Sequence, residues 1–186
     1  FVRDHNEGDH SYTMEMNEFG DLSWDEFKAE RLGFNGKRSE FVRSLNTESF
    51  EGVEAPASQD WRTSGAVTGV KDQGQCGSCW AFSTTGSVEG AWKIAGNDLT
   101  SLSEQQLVDC AGSQGNAGCN GGLMDDAFEY IIKNGGICSE ADYAYTGVDG
   151  SCQTSCSKVA QISGYKDVTV GSEDDLMTAV GTVGPV

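Results

Sequence analysis

The chain has 186 residues, 37% of them hydrophobic, with four tryptophans; this allows one sizeable domain, or a domain plus a smaller segment, and argues against wholesale disorder. Its formal net charge is −17, from 12 basic and 29 acidic side chains. The excess is spread out, with 13 acidic against 6 basic residues in 1–54 and 16 against 6 in 55–186, so the surface is acidic throughout and argues against nucleic-acid or membrane-surface partners.

No window approaches the roughly 20 apolar residues of a membrane span. The opening Phe1-Val2-Arg3-Asp4-His5-Asn6 lacks the apolar centre of a signal peptide. Without an initiator methionine, the chain is expected to start inside a longer protein. Seven cysteines point to disulfides and an oxidising compartment, and the odd number leaves at least one thiol over.

In chain order, Tyr12 to Met16 alternates apolar and polar residues, the pattern of a short strand. Ser23 and Glu26 are spaced as a capping box, with Leu22 and Phe27 in staple positions, which predicts a helix stopping near Gly33. Residues 34–56 lose periodicity and read as a linker ending at Pro56, with a domain boundary placed there. Cys79 to Ile94 is predicted as a buried central helix, because Ala81, Thr84, Val88 and Ala91/Trp92 recur at spacings of three and four. Its small residues (Ala81, Ser83, Thr84, Gly86, Ser87, Gly90) would let other elements approach closely.

Ser103 and Gln106 form a second capping-box pattern, with Leu102 and Leu107 as its staple, on a helix ending near Cys110. Residues 111–118 read as a turn-rich loop. A third helix is expected after Asn120-Gly121-Gly122, with Asp125 and Asp126 at its positive end. Met124, Ala127/Phe128 and Ile131 would form its apolar face, and Asn134-Gly135-Gly136 its stop. Val159–Ile162 and Tyr165–Val170 look like strands, and Ser172 caps a last helix to Val180. Gly184-Pro185-Val186 reads as the entry to a further strand.

The chemistry concentrates in Gln73-Gly74-Gln75-Cys76-Gly77-Ser78-Cys79-Trp80. A cysteine where a glycine turn becomes a helix sees unpaired N–H groups and the positive end of the dipole, a setting that favours thiolate. Thiolate is the nucleophile that attacks a carbonyl, and the resulting tetrahedral intermediate needs donors for its oxyanion. The Gln73 amide and the Cys79 N–H can supply two, and Gly74 and Gly77 leave room for an extended substrate. On spacing alone, Cys76 and Cys79 could instead be two disulfide cysteines or a redox pair. Zinc is disfavoured, because the next close cysteine pair, Cys152 and Cys156, lies far beyond the usual gap of roughly 15–20 residues; no metal and no cofactor are expected.

Cys76-Gly77-Ser78-Cys79-Trp80 matches every position of the Cys-Gly-Ser/Ala-Cys-Trp/Tyr signature of papain and the cathepsins. Asp60-Trp61-Arg62, Val67 to Gly74, Leu102 to Gln105, Leu107 to Cys110 and Gly118-Cys119-Asn120-Gly121-Gly122-Leu123-Met124 also resemble the papain-like cysteine proteases, nearest to the cathepsin L branch. Residues 12–27 resemble that branch's inhibitory propeptide. Its G-x-N-x-F-x-D element stands here as Asn17, Phe19 and Asp21, with Glu15 in place of the glycine. Ala55-Pro56 stands where mature chains of this kind often begin.

The resemblance implies an α+β, two-lobed fold: propeptide in residues 1–54, a helical lobe in 55–165, and the start of a β-rich lobe in 166–186, cut off at the end. The truncated lobe would leave apolar surface exposed and stability low. The implied activity is a cysteine endopeptidase acting on polypeptide substrates, made as a zymogen with its own propeptide as inhibitor. A monomer in the lysosome or vacuole, or secreted, is expected. Cys79 would be the nucleophile and Gln73 the oxyanion-hole side chain. Gly77 would border the leaving-group side, Gly121 and Gly122 would pair with substrate backbone, and Met124 would line the pocket for the second residue before the scissile bond. Trp80 is expected to be a packing residue. The family pairs Cys76 with Cys119 and Cys110 with Cys152, and parity then proposes Cys138 with Cys156.

The propeptide-like segment would cross the cleft in the direction opposite to substrate. Because it starts late, a 1–54 peptide is expected to inhibit weakly. The general base is not legible in these residues: the two histidines, His5 and His10, fall in the propeptide-like segment and read as surface residues. An interval of roughly 130–150 residues from Cys79 puts the expected His and Asn near 209–229, so the 186-residue chain is expected not to turn over substrate by itself. The alternative is a catalytically inactive, disulfide-stapled secreted homologue or binding module.

Overall fold

The structure is a computed structural model and describes residues 1–34 and 46–186. Residues 35–45 of the expected linker therefore lie outside the described residues. The architecture is α+β, with helices gathered around one buried helix and two small sheets of two strands each.

The first helix, α1 (Val2–Asn6), is followed by an extended stretch where a strand was expected. Among the described residues, Tyr12–Met16 pairs with no strand. The Asn6 carboxamide instead donates to the Met14 carbonyl and accepts from its N–H, both at 2.7 Å. One side chain thus satisfies a backbone edge that alternation alone would assign to a sheet. Helix α2 (Trp24–Arg31) has the complete capping box: Ser23 Oγ accepts from Glu26 N, and the Glu26 carboxylate accepts from Ser23 N at 2.8 Å. Beyond it, strand β1 (Thr47–Glu48) lies inside the stretch read as a linker and pairs in parallel with β4 (Asp167–Val168). Two residues carry too little pattern to show period two, so this pairing is set by its partner.

Helix α3 (Cys79–Ile94) is the centre of the fold, burying Trp80, Ala81, Thr84, Val88 and Gly90. Its small residues have a steric use: a Cβ at Gly90 would come within 2.5 Å of the Pro185 ring. Helix α4 (Glu104–Cys110) starts at Ser103, whose hydroxyl accepts from Gln106 N at 2.9 Å. The reciprocal half of this predicted capping box is absent. The Gln106 carboxamide accepts from Cys138 N at 2.8 Å and reaches the Tyr130 hydroxyl, while Ser103 N donates to Cys138 O at 3.0 Å. A tertiary partner has replaced the local one. Helix α5 (Met124–Asn134) buries Ala127 and Ile131 and ends at Gly135 in the left-handed region, φ 72°.

Strand β2 (Ile137–Cys138) runs antiparallel to β3 (Lys158–Ala160), which is shorter than its sequence pattern. Helix α6 (Glu173–Thr182) is capped by Ser172, with Asp175 N donating to its hydroxyl at 3.1 Å. Trp80, Leu102, Leu107, Ile131 and Ile137 fill one core between α3, α4, α5 and β2. Three disulfides, Cys76–Cys119, Cys110–Cys152 and Cys138–Cys156, staple loops around it.

A charged cluster lies beneath this core. Lys71 Nζ donates to Glu89 Oε1 at 2.9 Å, to Glu104 Oε1 at 2.6 Å and to the Leu102 carbonyl at 3.3 Å. Both carboxylates are 2% exposed or less. Thr68 and Thr85 hydroxyls and the Leu102 N–H donate to them as well. Burial pushes the Glu104 carboxyl above its usual range, outweighing its bonds to Lys71 and Thr85. Burial pulls Lys71 down, but its bonds to Glu104 and Glu89 leave it raised.

Both shifts favour the folded state at lower pH. The Lys71 contribution is complete below 10.5 and is lost as pH rises through the raised folded value. Glu104 binds its proton more readily when folded, so its unfavourable burial eases as pH falls through its folded value. Replacing Lys71 by Met strands two buried carboxylates and should cost about 3–5 kcal/mol in chemical denaturation at neutral pH. Part of that loss should return on acidification, when protonation removes the stranded charge; a loss independent of pH would contradict this account.

Candidate active site

Cys79 is the first residue of α3 and the free cysteine among the described residues, half-buried at the mouth of the helix. The preceding turn is held from both sides. Cys76 is fully buried and bridged to Cys119, and Gly77 N donates to the Cys119 carbonyl at 2.9 Å. These two links lay the Cys76–Ser78 backbone against the 118–122 loop, so Cys79 emerges from a doubly anchored turn. The bridge takes Cys76 out of redox or metal chemistry, and the described residues contain no cluster of metal-ligating side chains.

Gln73 lies where its carboxamide can serve this turn. Its Nε2 donates to the Cys76 carbonyl at 2.9 Å and to the Arg31 carbonyl of the first segment, also at 2.9 Å. A backbone carbonyl from outside the turn therefore sits on the donor assigned to an oxyanion. Arg31 also donates through its guanidinium to the Gly74 carbonyl at 2.7 Å, and that guanidinium lies 4.8 Å over the Phe19 ring. Phe19 packs edge-on against Phe27 at 5.5 Å. The Asn17–Phe19 element thus acts at a distance, by holding the end of α2 over Gln73.

Gly33 continues the contact. A Cβ there would come within 1.8 Å of the Gly77 carbonyl oxygen, and a Cβ at Gly77 within 2.6 Å of Cys119 O. Two backbones meet here with no side chain between them. Gly122 N donates to the Gly33 carbonyl at 2.8 Å, and Phe34 forms a parallel bridge with Gly122. Gly122 also has no room for a Cβ, which would meet the Trp80 indole at 2.7 Å. Trp80 is fully buried, and its indole N–H donates to Gly118 O at 3.2 Å. Gly121 differs from Gly122. Its N–H and carbonyl close a local turn with Gly118 and Ala117, so in this structure only Gly122 engages the incoming backbone.

Met124 packs against the core and lines a cavity of about 620 Å³ with Phe50, Ser83, Ser87, Phe128 and Tyr165. The first segment reaches this cavity too, since Phe50 is part of the lining. His5 and His10 stay in the first segment, stacked on each other at 4.0 Å, with His5 against the Tyr12 carbonyl. Neither has contact with Cys79 or Gln73. Arg31 and Gly33 were not singled out from sequence. Gly33 was read as a helix stop, and nothing local distinguishes a glycine that ends a helix from one that must lie against another backbone.

Comparison with known proteins gives the family of the chain. Residues 55–186 match the papain family cysteine protease profile, and residues 1–27 match the cathepsin propeptide inhibitor domain. The chain is 53% identical to cysteine proteinase RD21A of Arabidopsis thaliana, over 97% of this chain and 39% of that protein. It is 47% identical to procathepsin L of Mus musculus, over 98% of this chain and 54% of that one. Among solved structures, the digestive procathepsin L 3 of Tenebrio molitor superposes with a TM-score of 0.82 at 45% identity, covering 98% of this chain and 60% of that chain. The recombinant stem bromelain precursor gives 0.84 at 39% identity, covering 97% and 58%. The chain spans about half the length of the curated relatives it matches. By these matches it belongs to the papain family of cysteine proteases and carries a propeptide inhibitor domain of the cathepsin type.

Proposed function

We propose that the full-length protein is a cysteine endopeptidase made as a zymogen, with Cys79 as nucleophile and Gln73 as the oxyanion-hole side chain. The observation that carries this reading is the Gln73 Nε2 hydrogen bond to the Arg31 carbonyl, beside the N-terminal end of the Cys79 helix. A donor already engaged with a peptide carbonyl at that place is suited to the carbonyl oxygen of a substrate. Cys79 Sγ attacks the carbonyl carbon, and the negative charge that develops on oxygen is met by Gln73 Nε2–H and Cys79 N–H. Collapse expels the amine with a proton and leaves a thioester on Cys79, which water hydrolyses. His5 and His10 lie in the segment matched to the inhibitor domain and are not assigned this proton transfer.

Residues 1–54 form the propeptide in this reading, 55–165 the helical lobe and 166–186 the start of the second lobe. The start of the protease match at Ala55 supports that division. The propeptide blocks its own enzyme by covering Gln73 and Gly122 with backbone that runs parallel to the Gly122 strand. Polypeptides are the substrates, the enzyme is a monomer, and Met124 faces the side chain that fixes preference. Three disulfides fit an oxidising compartment. The lysosome, the vacuole and the secretory route all meet that condition.

In the full-length protein, Cys79→Ser should abolish peptide-amide hydrolysis after maturation. Gln73→Ala should lower kcat by about 10²–10³, the usual cost of one oxyanion donor. Unchanged turnover in Cys79→Ser would reject the proposal. Inhibition is tested separately. Gly33→Ala puts a methyl into the Gly77 carbonyl, so it should lift the first segment and raise the rate of Cys79 alkylation by iodoacetamide, with the melting temperature of the protease part unchanged. Equal alkylation rates would show that the segment does not guard the thiol.

A further inference from the structure

The proposed oxyanion hole needs two donors on different stretches of chain, the Gln73 side chain and the Cys79 N–H, held at a fixed separation. Outside that pair, one hydroxyl touches both stretches. Tyr145 Oη lies 2.7 Å from the Gln73 carbonyl and 2.6 Å from Ser78 Oγ. The proton assignment follows from valence. The Gln73 carbonyl can only accept, so Tyr145 donates its single proton there, and Ser78 must donate its own to Tyr145. The other acceptor open to Ser78, the Cys76 carbonyl, is more distant at 3.4 Å.

We propose that Tyr145 is a positioning residue for the oxyanion hole, fixing Gln73 relative to the residue that precedes Cys79; this rests on the roles proposed above for those two residues. Ser78 is fully buried and forms the N-cap position of α3, so a pull on its hydroxyl is a pull on the start of the helix. The Tyr145 ring is held edge-on by Phe82, centroids 4.9 Å apart, on the same helix one turn after Cys79. Its N–H is held by Glu140 Oε1 at 2.7 Å. The ring thus has little freedom, and the hydroxyl acts as a spacer between the Gln73 backbone carbonyl and the Ser78 side chain. Burial pushes the Tyr145 hydroxyl up from its usual range, in the same direction as its role as a donor.

No other described hydroxyl bridges these two stretches, and the bridge is separate from the Cys76–Cys119 disulfide, which ties the turn to the 118–122 loop instead. Because the partners of Tyr145 are the Gln73 carbonyl, Ser78, Glu140 and Phe82 rather than the Cys79 thiol or the Gln73 carboxamide, its effect passes through the placement of Gln73. Loss of the hydroxyl should therefore weaken oxyanion stabilisation and leave ground-state binding intact.

The test is Tyr145→Phe in the matured full-length protein, with kcat counted per titrated Cys79 thiol. We expect kcat to fall about 10-fold, a fraction of the loss of the donor itself, with KM within about twofold. A peptide aldehyde, whose thiol adduct carries the oxyanion, should lose affinity by the same factor as kcat. In a Gln73→Ala background the Tyr145→Phe penalty should vanish, because the residue it positions is gone. An unchanged kcat would overturn the proposal. So would an undiminished penalty in the Gln73→Ala background, or a fall in melting temperature and titratable thiol with normal kcat per site. A wild-type protein without turnover would overturn the protease reading and this inference with it, and the wild-type arm alone reads that outcome.

Discussion

The buried cluster around Lys71 is the constraint on which the rest of the protease part depends. Two carboxylates from α3 and α4 are removed from water and share one ammonium and three neutral donors. Removing charge from water is expensive, and the cost is recovered only when the geometry is correct. The cluster therefore tolerates a single arrangement of α3, α4 and the chain segment holding Lys71. Gln73 comes two residues after Lys71, so the segment that carries the proposed oxyanion donor is pinned by an ion network on one side and by Tyr145 on the other. One carboxylate oxygen, Glu104 Oε2, has no hydrogen-bond partner among the described residues, and burial raises this carboxyl's affinity for a proton.

On that base the active-site turn is made of backbone rather than side chains. Gly33, Gly77 and Gly122 meet without a Cβ, and any of the three substitutions would drive atoms together. Extended substrate and extended propeptide make the same demand on this surface: it must accept a main chain at hydrogen-bond distance. Carbonyls of the first segment occupy two donors, Gln73 Nε2 and Gly122 N, that the proposed function gives to substrate, so in that reading occupation of the cleft and blockade of catalysis are one event. Its grip depends on a few polar contacts and on Arg31, held over Phe19. Such contacts can be released without disturbing the core.

Much of this was legible in the sequence, and the failures are physical. The boundaries of α3 followed from spacing, because a buried helix of small residues leaves a clear period. The Ser23 box formed whole, while the Ser103 box formed by half. Nothing local could reveal that Gln106 would prefer Cys138 N to its own helix end. Tyr12–Met16 alternated like a strand, yet one carboxamide from Asn6 replaced the partner strand. The parallel pairing of Thr47–Glu48 with Asp167–Val168 joins residues about 120 apart, and two-residue strands have no period to read. At the site, Cys79, Gln73 and the glycines were visible through the motif they share. Arg31, Gly33 and Tyr145 were not, because each acts through the backbone of another segment and leaves no mark on its own neighbours in sequence.

The disulfides and the free thiol divide the molecule into a fixed and a removable part. All three bridges lie between Cys76 and Cys156, and none reaches the first segment. Cys76–Cys119 ties the turn before Cys79 to the 118–122 loop within the protease part itself. Among the described residues, the segment before Ala55 is held by hydrogen bonds, a cation–π contact, the Phe34–Gly122 bridge, a two-residue strand pairing and Phe50 at the cavity. Interactions of that kind are individually worth about 1 kcal/mol, whereas a bridge contributes about 2–4 kcal/mol. Removal of the segment before Ala55 thus breaks no disulfide and leaves all three bridges in place.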